Sequence, residues 1–387
     1  MSVYSKMGVN RVVNASFALT RLGGSSLHPD VLKAMEEANR SYSNLWDLMK
    51  QAGEIISEGT GAEAAWPTPG AFSALVLSAA ACMTGSDTEK MRRLPDSTGM
   101  KNEIVIQRAN RLYTYDRSME VAGGRFVFVG DERWGCTPEQ LENAITERTA
   151  AVHHAITRGL PSGVLSIEET VEIAHDHGVP VILDAAGKTW PLDGLHKFTD
   201  AGVDLACYGG KYVGGPNSSG WVQGQRDLIE AVALHSFIGA EAGPREQGGF
   251  YRGVGRGYKM DRQEIVGLVV AFQRWLGMDH EAERFQPAWE RAHFIDDGIR
   301  GLKGLDDARF RYHPASGEGC GYHTLGLELH FDDWSDEEVR ALVYRLREED
   351  PEVWVRYWGG NYFIINTLNL LEGDEETIVE RFRKVAG

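Results

Sequence analysis

Cysteine is scarce in this 387-residue sequence: Cys82, Cys136, Cys207 and Cys320 stand far apart, with no Cys-x-x-Cys spacing. That excludes a disulfide scaffold or zinc frame and reads as buried thiols in a reducing cytoplasm. Long apolar runs are missing too. No stretch approaches the roughly 18 residues a membrane helix needs, and the opening residues lack the apolar core of a secretory signal. Positive charge is in deficit, with 40 Lys and Arg against 56 Asp and Glu, a formal net charge of −16. Such a field repels nucleic-acid phosphates, so no nucleic-acid or membrane partner is expected, while a local basic pocket for a small anion is compatible with it. Disorder is excluded by a hydrophobic share of 42%, which is ordinary for a globular chain. The length suffices for about two or three domains with real cores.

What is present is an alternation of short β-rich runs and helical patterns from about residue 100 onward. Residues 102–107, 124–129 and 150–156 read as strands. Thr137-Pro-Glu-Gln140 and Ser166-Ile-Glu-Glu169 each open a helix with a capping box, and Gly178 ends the second. Residues 179–184 form a near-continuous apolar run, as expected of a parallel strand buried on both faces. Residues 204–208 and 220–223 complete the series. Strands alternating with helices predict an α/β sheet covered on both sides. The last third differs, with long helical patterns over 256–277 and through Arg300. A strand at 324–330, a helix capped by Ser335 and further strands over 353–366 follow, predicting a smaller α+β domain. The expected division is an N-terminal arm (1–45), a large domain (46–255), and a linking helix with the small domain (256–387).

In open α/β sheets, ligands sit at the carboxyl ends of the strands. Asp184 closes one such strand, and Lys211 follows the next, 27 residues later, about one βαβ step. The spacing predicts neighbouring strands facing one crevice. A buried carboxylate and a glycine-flanked lysine suit pyridoxal 5′-phosphate (PLP). The lysine amine forms a Schiff base and acts as base, and the aspartate keeps the pyridine nitrogen protonated. A phosphate cradle is expected at Trp66-Pro-Thr-Pro-Gly70-Ala-Phe-Ser73, where Gly70, Ala71 and Phe72 present backbone N–H groups at a helix start. Competing phosphate motifs fail. A Walker loop ending at Lys211 would need glycine and Ser/Thr where Leu205 and Tyr212 stand, and Tyr258 occupies the last glycine position of a dinucleotide fingerprint.

With these residues in place, the sequence resembles fold-type I PLP enzymes, aminotransferase-like in fold. More narrowly it resembles the branch of selenocysteine synthase (seryl-tRNA selenium transferase) and D-glucosaminate-6-phosphate ammonia-lyase. The resemblance runs from about residue 13 to 267. It rests on Val13-Asn-Ala-Ser-Phe-Ala-Leu-Thr-Arg-Leu-Gly-Gly-Ser25, Gly59-Thr-Gly-Ala-Glu-Ala-Ala65, Asp184-Ala-Ala, Gly209-Gly-Lys-Tyr-Val-Gly-Gly-Pro216 and Gly255-Arg-Gly-Tyr-Lys-Met-Asp261. It implies a cytoplasmic lyase, active as a homodimer or larger even assembly, that removes an α-proton and eliminates a β-substituent. An aminotransferase, racemase, aldolase or β-substitution enzyme of the same fold is the alternative. The substrate is expected to be a polar amino acid or amino-sugar acid. A selenium-transferase role is disfavoured, because a charged tRNA calls for a basic surface. Two positions depart from the pattern but stay in the cofactor-binding set that the resemblance implies: Tyr208 stands where a phosphate-contacting serine is usual, and bulky Phe72 where a small residue is usual.

Further candidates are His154, as a ring-stacking group or the acid for the leaving group, and Tyr115, as a stacking or gating group. Gly215 in the glycine-rich loop completes the cofactor set. Arg256, Lys259 and Arg21 are candidates for substrate anions, with Arg356 as a carboxylate clamp. Each of these has a blander reading as a core residue or surface ion pair. His175-Asp-His177 has metal-like spacing, but it lies at a helix end without a third ligand and reads as solvated.

Overall fold

A computed structural model describes residues 3–156, 163–242, 252–302, 305, 308–313 and 325–385. The chain forms two compact units, one from Leu27–Leu276 and the other from Met1–Ser26 with Gly277–Gly387.

Strand β1 (Val12–Ala15) belongs to the second unit. The first unit is built on a seven-stranded sheet. Its strands are β2 (Ala64–Thr68), β3 (Glu103–Gln107), β4 (Arg125–Val129), β5 (Thr149–Ala155), β6 (Val181–Asp184), β7 (Leu205–Gly209) and β8 (Gly220–Gly224). Their order is β2-β8-β7-β6-β5-β3-β4, and β8 alone runs against its neighbours. Strands β5 through β8 are buried at every position, as layers on both faces require. Both expected capping boxes are present at Thr137 and Ser166. The Ala71–Thr84 helix is apolar almost all round, with Ala74, Val76, Ala79, Ala80 and Ala81 fully buried. Such a helix must lie inside the domain. It packs on the face that carries Ile182, Leu205 and Cys207, against the Arg226–His235 helix.

The second unit holds β1 and, later in the chain, β9 (Ala308–His313), β10 (Gly326–Phe331), β11 (Glu352–Val355) and β12 (Tyr362–Asn366). Strands β12-β10-β9 form an antiparallel sheet, and β1 pairs in parallel with β11, Val13 opposite Val353. Val13, Ala15, Leu327, Leu329, Phe363 and Phe382 join one core with the helices around them. The two compact units divide near residues 26 and 276. The β1–β11 ladder ties the N-terminal strand to the C-terminal unit, and the Pro29–Asn39 and Arg262–Gly277 helices go with the large sheet.

Candidate active site

The functional side chains gather at the carboxyl ends of β2, β6 and β7. Thr68 ends β2 opposite Gly220, Gly220 stands opposite Gly209 at the end of β7, and Cys207 opposite Asp184 at the end of β6. These pairings bring the Gly70 loop, the Lys211 loop and Asp184 to one edge. Gly220 must be glycine for this, because a Cβ there would lie 2.4 Å from the Tyr208 oxygen and 2.8 Å from the Gly70 carbonyl carbon.

Asp184 is 7% exposed, and Oδ1 accepts the Ala186 N–H at 3.1 Å. Burial pushes its carboxyl up to about 6. Among the described residues no basic side chain pairs with it, so its charged form has no cationic partner within the described chain. A protonated ring nitrogen fits that need.

Lys211 sits in the 3₁₀ turn Gly210–Val213 directly after β7. The loop closes through Gly215 N donating to Gly210 O at 2.9 Å, and the Ser219 hydroxyl donates to Pro216 O at 2.7 Å. A Cβ on Gly210 would come within 2.2 Å of Ser219 Oγ, which explains glycine before the lysine. The Lys211 ammonium lies 5.2 Å from the Tyr212 ring centre.

Gly70 adopts φ +85°, open only to glycine at low cost, and starts the Ala71–Thr84 helix. The first intrahelical bond runs from Ala74 N to Gly70 O. The amides of Ala71, Phe72 and Ser73 thus precede the hydrogen-bonded ladder at the positive end of a long helix, a suitable seat for phosphate. Phe72 is 38% exposed, so its bulk is not packed into the core of the domain.

Two expected residues lie elsewhere. Residues paired across a sheet share a face, and neighbours along a strand alternate. Asp184 and Cys207 share the face covered by the Ala71–Thr84 helix, where Cys207 Sγ meets Ser78 Oγ at 3.5 Å. His154 pairs with Leu183 and so points to the other face, where its Nδ1 lies 3.5 Å from Thr170 Oγ1 on the Ile167–Asp176 helix. It is 1% exposed, and burial drives its imidazole down to about 3. The ring is neutral and sealed away from Asp184, which conflicts with a role as acid. Its neighbour His153 shares the Asp184 face; its Nδ1 lies 3.2 Å from Ile182 O, and burial brings it down to about 4. Tyr208 also points away. It stacks on Trp221 at 5.0 Å and donates to Gly194 O at 2.9 Å, so its hydroxyl is spent in the core, not on phosphate.

The remaining candidates have the following surroundings. Tyr115 is 52% exposed in the turn after β3. Arg256 ion-pairs with Glu241 at the surface, and Lys259 is exposed. Arg21 and Arg356 belong to the second unit, where the Arg356 Nη1 donates to Ser16 O at 3.2 Å. His175 bonds the buried Asp204 at 2.9 Å, and His177 lies 3.7 Å from Glu142.

Comparison with known proteins identifies the family. Residues 94–189 match the model of the DegT/DnrJ/EryC1/StrS aminotransferase family. A 5′-C-glycyluridine monooxygenase-decarboxylase from Streptomyces sp. is 34% identical over 79% of this chain and 74% of its own length. The D-glucosaminate-6-phosphate ammonia lyase of Salmonella typhimurium is 30% identical over 100% of this chain and 98% of its own. A solved structure of D-glucosaminate-6-phosphate ammonia-lyase superposes with a TM-score of 0.83 at 26% identity, covering 100% and 98% of the two chains. The cofactor is PLP, and the lyase reading agrees with the full-length relative. The chain belongs to the fold-type I PLP-dependent enzymes, in the branch of D-glucosaminate-6-phosphate ammonia lyase and the selenocysteine synthases.

Proposed function

We propose that this enzyme eliminates a β-substituent from a polar amino acid or amino-sugar acid and releases ammonia and a 2-oxo acid. The observation that carries the reading is the buried carboxylate of Asp184, unpaired by any described cation, at the same sheet edge as Lys211 and the Gly70 helix start. Lys211 holds the cofactor through its amine, and once displaced by substrate that amine takes the α-proton. Asp184 holds the proton on the ring nitrogen. Ala71 and Phe72 offer backbone N–H groups to the phosphate. When bound, PLP supplies the electron sink for the charge left at the α-carbon. With His154 on the far face, Lys211 is also the group that hands a proton to the departing oxygen. Water leaving from the β-carbon is returned on hydrolysis, so the net change is loss of ammonia.

The likeness to a monooxygenase-decarboxylase supports a second reading, oxygen-dependent loss of the carboxyl group. One experiment separates them. Holoenzyme is incubated anaerobically with hydroxylated amino acids and amino-sugar acids, and ammonia, 2-oxo acid and carbon dioxide are measured. Ammonia and 2-oxo acid without oxygen or an amino acceptor are expected. Product only with an acceptor means transamination, and carbon dioxide only with oxygen means the second reading. Borohydride in the same preparation should fix the phosphopyridoxyl group to the Lys211 peptide; labelling at Lys188 would sink the assignment.

The working unit is a homodimer or larger even assembly in the cytoplasm. Tyr42, Tyr113 and Trp134, at 93, 62 and 74% exposed, support association, and buried thiols at Cys136 and Cys207 suit a reducing compartment. Light scattering on active enzyme should show at least two chains. A monomer with full turnover would overturn this.

A further inference from the structure

The second unit holds a cluster of two arginines and a tryptophan. Trp354 on β11 has the Arg21 guanidinium 4.4 Å from its ring centre and the Arg347 guanidinium at 4.0 Å. Two like charges around one indole repel, and Arg21 contributes with burial to lowering the Arg347 value. Among the described residues the carboxylate that acts on Arg347 is Glu352, and it is already engaged. Glu352 Oε2 accepts from Trp354 Nε1 at 2.7 Å, and Oε1 accepts from Asn10 Nδ2 at 3.3 Å. The Arg347 Nε is buried and has no hydrogen-bond partner. Among the described residues neither Arg21 nor Arg347 has an ion pair. In a chain of net charge −16, with acidic partners abundant, two guanidiniums gathered without one are unusual.

The segment that presents Arg21 is costly to hold. Phe17 adopts φ +68°, a left-handed conformation that a bulky residue rarely takes. Asn14 enforces it: Oδ1 accepts from Ser16 N at 3.1 Å, and Nδ2 donates to Phe17 O at 3.0 Å. The turn Thr20–Leu22 then closes through Gly23 and Gly24, at φ +88° and +83°. A strained backbone that is held this firmly points to a side chain being positioned. Within its own unit, the motif at residues 13–25 thus supports Arg21.

We propose that Arg21 and Arg347, stacked on Trp354, form a binding site for a phosphoryl group. The planar fork of each guanidinium matches two oxygens of a tetrahedral oxyanion, and two forks suit a doubly charged group better than a single carboxylate. Cation–π stacking holds both forks while leaving their N–H edges available to the ligand. The inference stands on the second unit alone and does not depend on the lyase reading.

The test uses holoenzyme, so that the cofactor's own phosphate seat is filled. Inorganic phosphate, glucose 6-phosphate and acetate are titrated separately by calorimetry and by tryptophan fluorescence. One saturable phosphoryl ligand per chain is expected, with phosphate preferred over acetate. Arg21→Gln and Arg347→Gln should each weaken binding about tenfold or more, and Trp354→Phe should abolish the fluorescence change. Tighter glucose 6-phosphate would identify a phosphate ester as the ligand, and tighter inorganic phosphate a free anion. Absence of saturable binding, or wild-type affinity in Arg21→Gln, overturns the proposal. Arg21 lies on an exposed turn, so its variant remains decisive even if Arg347→Gln fails to fold.

Discussion

Asp184 carries a cost of burial that the proposed cofactor contact would remove. In the cofactor-free protein burial raises its carboxyl from 3.8 to about 6. A folded value above the unfolded one favours folding fully below about pH 4, and that contribution is lost as pH climbs through 6. A shift of about two units corresponds to at most ~3 kcal/mol. Urea unfolding of the cofactor-free protein should therefore show wild type losing up to about 3 kcal/mol more than Asp184→Asn between about pH 4 and pH 7. Equal losses in the two proteins would remove the carboxyl as the cause. If the ring N–H of bound PLP supplies the missing charge, as proposed, the sign reverses, and Asp184→Asn should then lose most turnover while keeping the fold.

At the scale of elements, what was legible depended on the range of the signal. The capping boxes at Thr137 and Ser166 are local, and both helices start where those residues stand. The apolar run closing on Asp184 and the glycines around Lys211 are local too, so their places at strand ends could be read directly. Which face a residue takes was not legible. His153 and His154 are adjacent, and their assignment turns on whether His154 pairs with Leu183 or with Asp184. One step of register moves every side chain to the other face, and no local pattern encodes that step in a strand buried on both faces. Tyr208 was misread for the same reason. The position before Gly209 matches a phosphate-contacting serine by spacing, yet its ring lies on the Trp221 side, where an aromatic is wanted and a serine would leave a cavity.

At the scale of the molecule, the least legible feature was the partnership of the chain's two ends. Residues 13–25 read as a motif of an N-terminal arm, but pairing of β1 with β11 across more than 300 residues leaves no trace in local periodicity. The pairing has a measurable consequence. Val13 and Ala15 are fully buried in the core of the second unit, and Ser16 Oγ donates to Trp354 O at 2.7 Å. Removing residues 1–15 would strip about 2 kcal/mol of valine burial and cross-strand hydrogen bonds worth about 1 kcal/mol each. It would also leave β11 as an unpaired edge. The large unit keeps its own core, built on the Ala71–Thr84 helix and the seven-stranded sheet. Hydrogen exchange on the truncated protein should therefore accelerate in peptides covering β10, β11 and β12, while those covering β5, β6 and β7 keep their protection. Acceleration spread evenly over both units would show that the two cores unfold as one. No acceleration at β11 would show that its pairing with β1 contributes nothing to the stability of the smaller unit.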